Sequence, residues 1–174
     1  MNLRSTLYLI LSLITYSLSG QINQRDHYLY LIHDSVNDQY GYVNYKRDTI
    51  INYGKYSICY TDTFKTTAIV LLPKHGFVAI DQNEKILYNI FPYDNGPDYI
   101  SDRTYRIIKQ GKIGYANQDG KIIIQPQFDC AYPFEKGRAK VSINCKTLKV
   151  GEHSQWTSDD WYYIDKNGTQ IISK

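Results

Sequence analysis

The chain has 174 residues, 43% of them hydrophobic and 14% aromatic, so it is long and apolar enough to fold around a core and does not belong to the disordered class. Tyr occurs 18 times and β-branched residues are abundant, whereas strong helix formers are sparse, a composition that favours an all-β fold. The formal net charge is +3 and the basic residues are scattered, which argues against a nucleic acid or an anionic membrane as partner.

Residues 1–19 have the layout of a secretory signal peptide. Arg4 supplies the positive charge, residues 7–14 are almost wholly apolar, and Ser17 and Ser19 have the spacing of the small residues at a signal-peptidase site. The apolar run is too short to span a bilayer, although an uncleaved anchor is the alternative. We therefore predict a signal helix followed by a single β domain over residues 20–174 with no transmembrane span. Its predicted location is the periplasm, the cell envelope or the extracellular space.

Four copies of one plan follow along the chain: an aromatic-rich strand, a polar turn and a second apolar strand. Their opening residues are separated by 37, 36 and 48 positions and are Tyr40, Phe77, Ile113 and Trp161. Periods of this length are typical of repeat arrays whose single units cannot bury their own apolar face. The extra residues of the last interval are predicted to lie between positions 144 and 160.

A second hairpin is predicted to enter each copy, which gives about three short antiparallel strands per unit. The predicted pairs are residues 106–109 with 112–115, 68–72 with 77–81, and 28–32 with 40–44. Asp119-Gly120 and Asn167-Gly168 supply the positive-φ positions that tight turns require. The predicted fold is all-β, a meander of repeated antiparallel hairpins that forms a solenoid-like array or a partial barrel or propeller.

Residues 111–141 resemble one WG repeat. They contain Gly-Lys-Ile-Gly-Tyr-Ala-Asn, a Gly turn, an apolar strand, Pro-Gln-Phe-Asp and Phe-Glu-Lys-Gly. That family's pattern has Gly-Lys-Trp-Gly-Tyr-Ile-Asp, a Gly turn, an apolar strand, Pro-x-Tyr/Phe-Asp and Phe-x-x-Gly. The signature Trp-Gly pair is nowhere intact, since Ile113-Gly114 lacks the Trp and Trp161-Tyr162 lacks the Gly. The resemblance implies a bacterial, often exported, interaction module without an assigned activity.

The three cysteines allow at most one internal bridge. Cys130 and Cys145 belong to the same repeat and are the favoured disulfide pair, and closing that loop would stabilise the fold by about 3 kcal/mol. Three buried free thiols, with Cys59 as the third, are the alternative. No Cys-x-x-Cys is present and the four histidines are isolated, so we predict no metal and no cofactor.

No catalytic residue is predicted. The chain has no Gly-x-Ser-x-Gly motif, and Ser154 merely follows His153 in the longest loop. Only three glutamates are available as partners for glycosidase chemistry. The segment from Asp94 to Asp98 lacks the alternating ligands of a calcium loop, and we interpret it as a Gly-Pro turn between solvated carboxylates.

Loop aromatics are the candidate binding residues, because planar rings with a polar edge are enriched at binding surfaces. Trp156, in the inserted loop, is predicted to be an exposed anchor, and the others are Tyr93, Phe128, Tyr132 and Phe134. Core packing is the competing explanation for any of these rings. The predicted function is an exported, non-enzymatic module of the cell envelope that binds a protein or glycan or acts as a scaffold. Its alternatives are an envelope hydrolase whose residues assemble only in three dimensions, and a structural spacer.

Overall fold

The structure, a computed structural model, describes residues 27–151 and 153–172. Nearly all regular structure in these residues is β-strand, which confirms the all-β prediction. Within the same residues no helix has the length and apolar character needed to cross a membrane. The predicted signal peptide, residues 1–19, lies outside the described residues.

The strands of the described residues are short, as expected for a chain punctuated by turns every few residues. In chain order they are β1 (Leu29–Asp34), β2 (Gln39–Val43), β3 (Thr49–Ile51), β4 (Ile58–Cys59), β5 (Thr63–Phe64), β6 (Ala68–Leu72), β7 (Gly76–Ile80), β8 (Ile86–Ile90), β9 (Pro92–Tyr93), β10 (Gly96–Pro97), β11 (Thr104–Lys109), β12 (Lys112–Asn117), β13 (Ile122–Phe128), β14 (Cys130–Ala131), β15 (Ala139–Ser142), β16 (Lys146–Val150), β17 (His153–Thr157), β18 (Tyr162–Ile164) and β19 (Gln170–Ile171).

Each repeat unit is a three-stranded antiparallel meander, as the hairpin prediction requires. Unit 1 contains β1, β2 and β3; unit 2 contains β6, β7 and β8; unit 3 contains β11, β12 and β13; unit 4 contains β15, β18 and β19. In unit 4 an extra hairpin, β16 with β17, separates the first strand from the second. This inserted hairpin lies where the sequence places the extra residues of the last interval.

Strand pairing joins two of the four units into one open sheet. Units 2 and 3 share one sheet, in the order β13-β12-β11-β8-β7-β6-β4, because β8 pairs with β11 at Ile90 and Ile107. Unit 1 forms a second sheet with β5, and unit 4 forms a third with β14. The described residues therefore form a succession of meanders, of which two share a sheet.

The second turn of every unit has the same local hydrogen bonds. One Asn or Asp side chain accepts the backbone N–H groups of the residues two and four positions ahead, and these four residues are Asn44, Asp81, Asn117 and Asp165. Such side-chain bonds to the nearby backbone stabilise tight turns. We call these four segments the repeated turns. They explain why a polar residue precedes the turn in each copy of the sequence.

Among the described residues the apolar core forms three clusters, and each one lies at a boundary between successive units. The first joins units 1 and 2, and includes Tyr42, Ile51 and Val78. The second joins units 2 and 3, and the third joins units 3 and 4. Adjacent residues of one strand serve different boundaries: Tyr115 packs against unit 4 and Ala116 against unit 2. Units therefore stabilise one another by sharing apolar faces.

Gly114, which follows Ile113 on β12, occupies a position where no side chain fits. A Cβ at this residue would lie 2.5 Å from the carbonyl oxygen of Ile124 and 2.5 Å from the nitrogen of Pro126. These are backbone atoms of β13, which pairs with β12 through an irregular register at this point. Glycine is needed here because the two strands approach too closely for any side chain.

Candidate functional site

An open cleft lies beside units 3 and 4, with a cavity volume of about 590 Å³. Three separate segments form most of it: the loop between β8 and β11, the segment from β14 to β15, and the inserted hairpin. Arg106 on β11 and Tyr163 on β18 complete the lining. We call it the aromatic cleft, because seven of its lining residues are aromatic or prolyl and most of the others are polar. The lining residues are Phe91, Tyr93, Tyr99, Arg106, Tyr132, Pro133, Glu135, Arg138, Lys140, Ser154, Gln155, Trp156 and Tyr163.

The rings of the cleft contact one another at steep angles. The centroid of Trp156 is 5.4 Å from that of Tyr132 and 5.8 Å from that of Phe91, with interplanar angles of 77° and 72°. Tyr93 and Tyr99 form a further edge-to-face pair at 5.0 Å. Edge-to-face packing is favourable for aromatic pairs. The walls are therefore preassembled and still present ring surface to solvent, since Tyr93 is 52% exposed and Tyr132 is 40% exposed.

A buried ion pair lies under the cleft. The Arg106 guanidinium donates from Nη2 to Oδ1 of Asp98 and from Nε to Oδ2 at 3.0 Å, and the Arg106 backbone N–H also donates to Oδ2 at 2.7 Å. Both side chains are at least 95% buried. The guanidinium also lies 4.1 Å from the ring centroid of Phe91. Asp98 is thus fully engaged as a structural counter-ion, and it orients the Arg106 side chain that lines the cleft.

The segment from β14 to β15, which forms one wall of the cleft, is held through its backbone. The donors are side chains of the loop before β11 and of unit 3. Arg106 Nη1 donates to the carbonyl of Ala131 at 3.2 Å, the Tyr115 hydroxyl to that of Tyr132 at 2.7 Å, and the Ser101 hydroxyl to that of Phe134 at 2.7 Å. Burial raises the pKa of Tyr115 above its usual value. Its hydroxyl therefore stays protonated, and keeps donating to the segment that carries Tyr132, to a higher pH than an ordinary phenol would.

Charged side chains at the rim lie on aromatic rings. The Arg138 guanidinium is 5.0 Å from the ring centroid of Tyr163, and Lys140 Nζ is 4.8 Å from that of Trp161. Cation–π contacts of this kind hold a basic side chain in place without neutralising it. Glu135 supplies the negative charge of the described lining, so the rim carries an excess of positive charge.

The inserted hairpin is fastened at its base, and this places Trp156 in the cleft. Cys130 and Cys145 form a disulfide that ties β14 to the residue before β16. The Ser158 hydroxyl donates to the carbonyl of Asn144 at 2.6 Å, which joins the two ends of the hairpin. Cys59 is a buried free thiol in the first core cluster, and burial raises its pKa to about 11.

The structure brings together three of the five candidate binding aromatics. Tyr93, Tyr132 and Trp156 all line the cleft, although Trp156 is half-buried and also packs on the third core cluster. The prediction is wrong for Phe128 and Phe134, which are 2% and 0% exposed. Both rings contact the Tyr115 ring in the third cluster. Phe128 is the last residue of β13 and pairs with Ile113, and Phe134 lies between β14 and β15, so both rings belong to the core between units 3 and 4.

The structure also contradicts the prediction that Asp98 is solvated. The sequence interpretation gave it a solvated carboxylate beside a Gly-Pro turn, whereas it is 5% exposed and paired with Arg106. Sequence reasoning also missed Arg106 itself and the basic rim. One signal was present: Arg106 lies between Tyr105 and Ile107 in the middle of a strand, where a charged residue needs a buried partner.

The described residues contain no group of three His, Cys, Asp or Glu side chains that could hold a metal ion.

Comparison with known protein families gives one match. Residues 113–146 match the family model described as WG containing repeat, which confirms the resemblance seen over residues 111–141. The matched segment runs from Ile113 near the start of β12 to the first residue of β16, so it includes Tyr132 and the backbone segment that forms one wall of the cleft. No curated protein and no solved structure matches the chain.

Proposed function

Because the chain carries a WG containing repeat, we propose that it is an exported, non-enzymatic binding module of the cell envelope whose protein or glycan partner occupies the aromatic cleft. One observation carries this proposal: Tyr93, Tyr132 and Trp156, which come from three separate segments, converge on one concave, partly exposed surface. Clefts of a few hundred Å³ with aromatic walls and a few polar groups are typical ligand sites.

The cleft supports binding better than hydrolysis. Cutting a glycosidic bond uses two carboxyl groups on opposite sides of the bond. The described lining supplies one, Glu135, since Asp98 lies beneath the lining in its ion pair with Arg106. A purely structural spacer is disfavoured by the concave aromatic surface itself, because such a protein has no need of exposed converging rings.

Binding is tested with the immobilised mature protein on a glycan array and in cell-envelope extracts. We expect Tyr132→Ala to weaken retention of the partner by about 2 kcal/mol, because central aromatic residues carry most of the binding energy of a typical interface. The matched control is Leu148→Ala on β16, an exposed residue of the inserted hairpin that does not line the cleft. Equal retention by the wild type and both variants, or retention by none, would contradict the proposed site.

Export and the absence of catalysis are tested separately. Expression of the full chain in a bacterial host should give a mature protein that begins at Gly20 or Gln21 and is found outside the cytoplasm, as shown by N-terminal sequencing of each fraction. A cytoplasmic chain that keeps Met1 would contradict export. If a bound oligosaccharide is cleaved during prolonged incubation, the hydrolase alternative replaces the non-enzymatic one.

A further inference from the structure

The inserted hairpin has an unpaired strand edge beside the cleft. In the described part of the chain β17 pairs only with β16. Three consecutive residues of β17, Ser154, Gln155 and Trp156, line the cleft, whereas their partners on β16 do not. Successive side chains of a strand point to opposite faces, so a cavity that touches three in a row runs along the edge of the strand.

The hairpin register shows which backbone groups face that edge. Val150 pairs with His153 across two intervening residues, and the closing pair of such a hairpin exchanges both of its hydrogen bonds. Bonded and non-bonded pairs then alternate, so Ser154 and Trp156 turn their N–H and C=O groups away from β16. Outside the strand ladders, none of the backbone–backbone hydrogen bonds of the described residues uses these four groups. They are free to pair with another strand.

The rim carries two positive charges whose separation matches the distance between alternate side chains of an extended peptide. Arg138 and Lys140 lie two positions apart with the buried Ala139 between them, so their side chains share one face of the segment. Two residues of extended chain cover about 7 Å. A peptide strand repeats the side chains of one face at this same interval, and carboxylates at alternate positions would match the two cations.

We propose that the aromatic cleft takes an extended acidic peptide, which adds to β17 as a third strand. Its backbone pairs with the outward groups of Ser154 and Trp156, its alternate carboxylates face Arg138 and Lys140, and its remaining side chains contact the aromatic walls. Strand addition of this kind gives affinity through the main chain and specificity through the side-chain pockets. The inference rests on the proposed function, because it assigns a partner class to the same cleft.

The probe is a short, dye-labelled, end-blocked peptide that alternates Glu with Val, compared with a counterpart that alternates Lys with Val. Binding is measured by fluorescence anisotropy at low salt. We expect the acidic peptide to bind more tightly than the basic one by about tenfold or more, and to weaken as salt is added, because opposite charges at the rim are partly exposed.

Backbone pairing is tested by removing N–H groups, first from β17 of the protein and then from the peptide. Ser154→Pro removes one outward N–H of β17 and should lower affinity by about tenfold, since one main-chain hydrogen bond is lost and the partner group is left unpaired. The control is Lys149→Pro, because Lys149 is the register partner of Ser154 and its outward N–H lies on the opposite edge of the hairpin.

A second arm leaves the protein unchanged. The acidic peptide is N-methylated either at its odd or at its even residues, and only one of these two peptides should lose binding, because a strand pairs through alternate N–H groups. Equal binding of the two methylated peptides, or of the Glu and Lys peptides, would overturn the strand-addition inference. If oligosaccharides bind and depend on Tyr132 while no peptide does, the inference fails and the proposed function stands; if nothing binds at the cleft, both fail.

Discussion

The repeated turns and the aromatic cleft are stabilised by hydrogen bonds of very different sequence separation. In each repeated turn the side-chain hydrogen bonds join residues two and four positions apart, as Asn117 does with the N–H groups of Asp119 and Lys121. The bonds that build the cleft join residues much farther apart: 17 positions for Tyr115 with Tyr132 and 33 for Ser101 with Phe134. Local bonds can be copied with each repeat, whereas the cleft depends on how particular units and loops pack. The repeats therefore supply the scaffold, and one set of long-range contacts supplies the site.

The largest expected effect comes from disrupting a long-range contact under the cleft. Arg106→Ala should lower the free energy of unfolding by about 3–5 kcal/mol, because it leaves the buried Asp98 carboxylate without its counter-ion. Urea unfolding followed by circular dichroism measures the loss.

The control for Arg106 is an exposed ion pair on the same sheet. Lys112 Nζ lies 2.6 Å from Asp129 Oδ1, and both side chains remain partly exposed. Lys112→Ala should cost at most about 1 kcal/mol, since exposed pairs are screened by water. Similar losses for the two variants would show that burial of the ion pair does not govern its contribution.

Alkaline pH should weaken the boundaries between units. Burial raises the pKa of Tyr42, Tyr105 and Tyr115 above the ordinary value of 10.0. The unfolded chain ionises these phenols first, so their contribution is complete below pH 10 and is lost as the pH rises toward the folded-state pKa values. Each such phenol should contribute about 1.4 kcal/mol per pH unit to the fall in unfolding free energy above pH 10.

Removing one of these phenols isolates its share of that pH dependence. Tyr115→Phe should reduce the slope by about 1.4 kcal/mol per pH unit, whatever it does to stability at neutral pH. Tyr42→Phe, at the boundary of units 1 and 2, should reduce it by the same amount. Slopes measured from urea unfolding at several pH values would contradict this if neither variant differs from the wild type.

A smaller effect is expected in a repeated turn. Asn117→Ala removes the acceptor of two backbone N–H groups and should lower the free energy of unfolding by about 1–2 kcal/mol. Gln118→Ala, at the next position of the same turn, is the control, because this side chain is exposed and should change stability by less than about 0.5 kcal/mol. Comparing the two variants separates the loss of the turn hydrogen bonds from the effect of shortening a side chain in this turn.

The smallest expected effect is an increase in the free energy of unfolding. Unit 1 places Arg47 at φ 72°, where unit 3 has Gly120 at φ 84° and unit 4 has Gly168 at φ 81°. Arg47→Gly should raise the free energy of unfolding by about 0.5–1 kcal/mol, because glycine adopts this left-handed conformation without steric cost. Gly120→Ala is the reverse test and should be clearly destabilising, since the new Cβ would lie 2.2 Å from Oγ1 of Thr67. A loss with Arg47→Gly would contradict the equivalence of the turns.

The site was less predictable from sequence than the strands were. The sequence identifies Tyr93, Tyr132 and Trp156 as loop aromatics, and all three line the cleft. It gives Phe128 and Phe134 the same character, yet both are buried. Composition and turn chemistry do not distinguish the two groups, because whether a loop ring meets solvent or another unit depends on the path of the loop in space.

The sequence by itself determines the strands and hairpins of the repeat units, the order of the repeats and the position of the inserted segment. These features follow from alternation, turn residues and spacing, which act over a few neighbouring positions. The sequence predicts a loop for the inserted segment, which the structure shows to be the hairpin of β16 and β17. Only the tertiary structure decides that Asp98 lies buried against Arg106, that the hairpin brings Trp156 to Tyr132, and that one edge of β17 borders the cleft. Contacts of this kind join residues far apart in the chain, so their geometry is fixed by the packing of whole units and has no local signature.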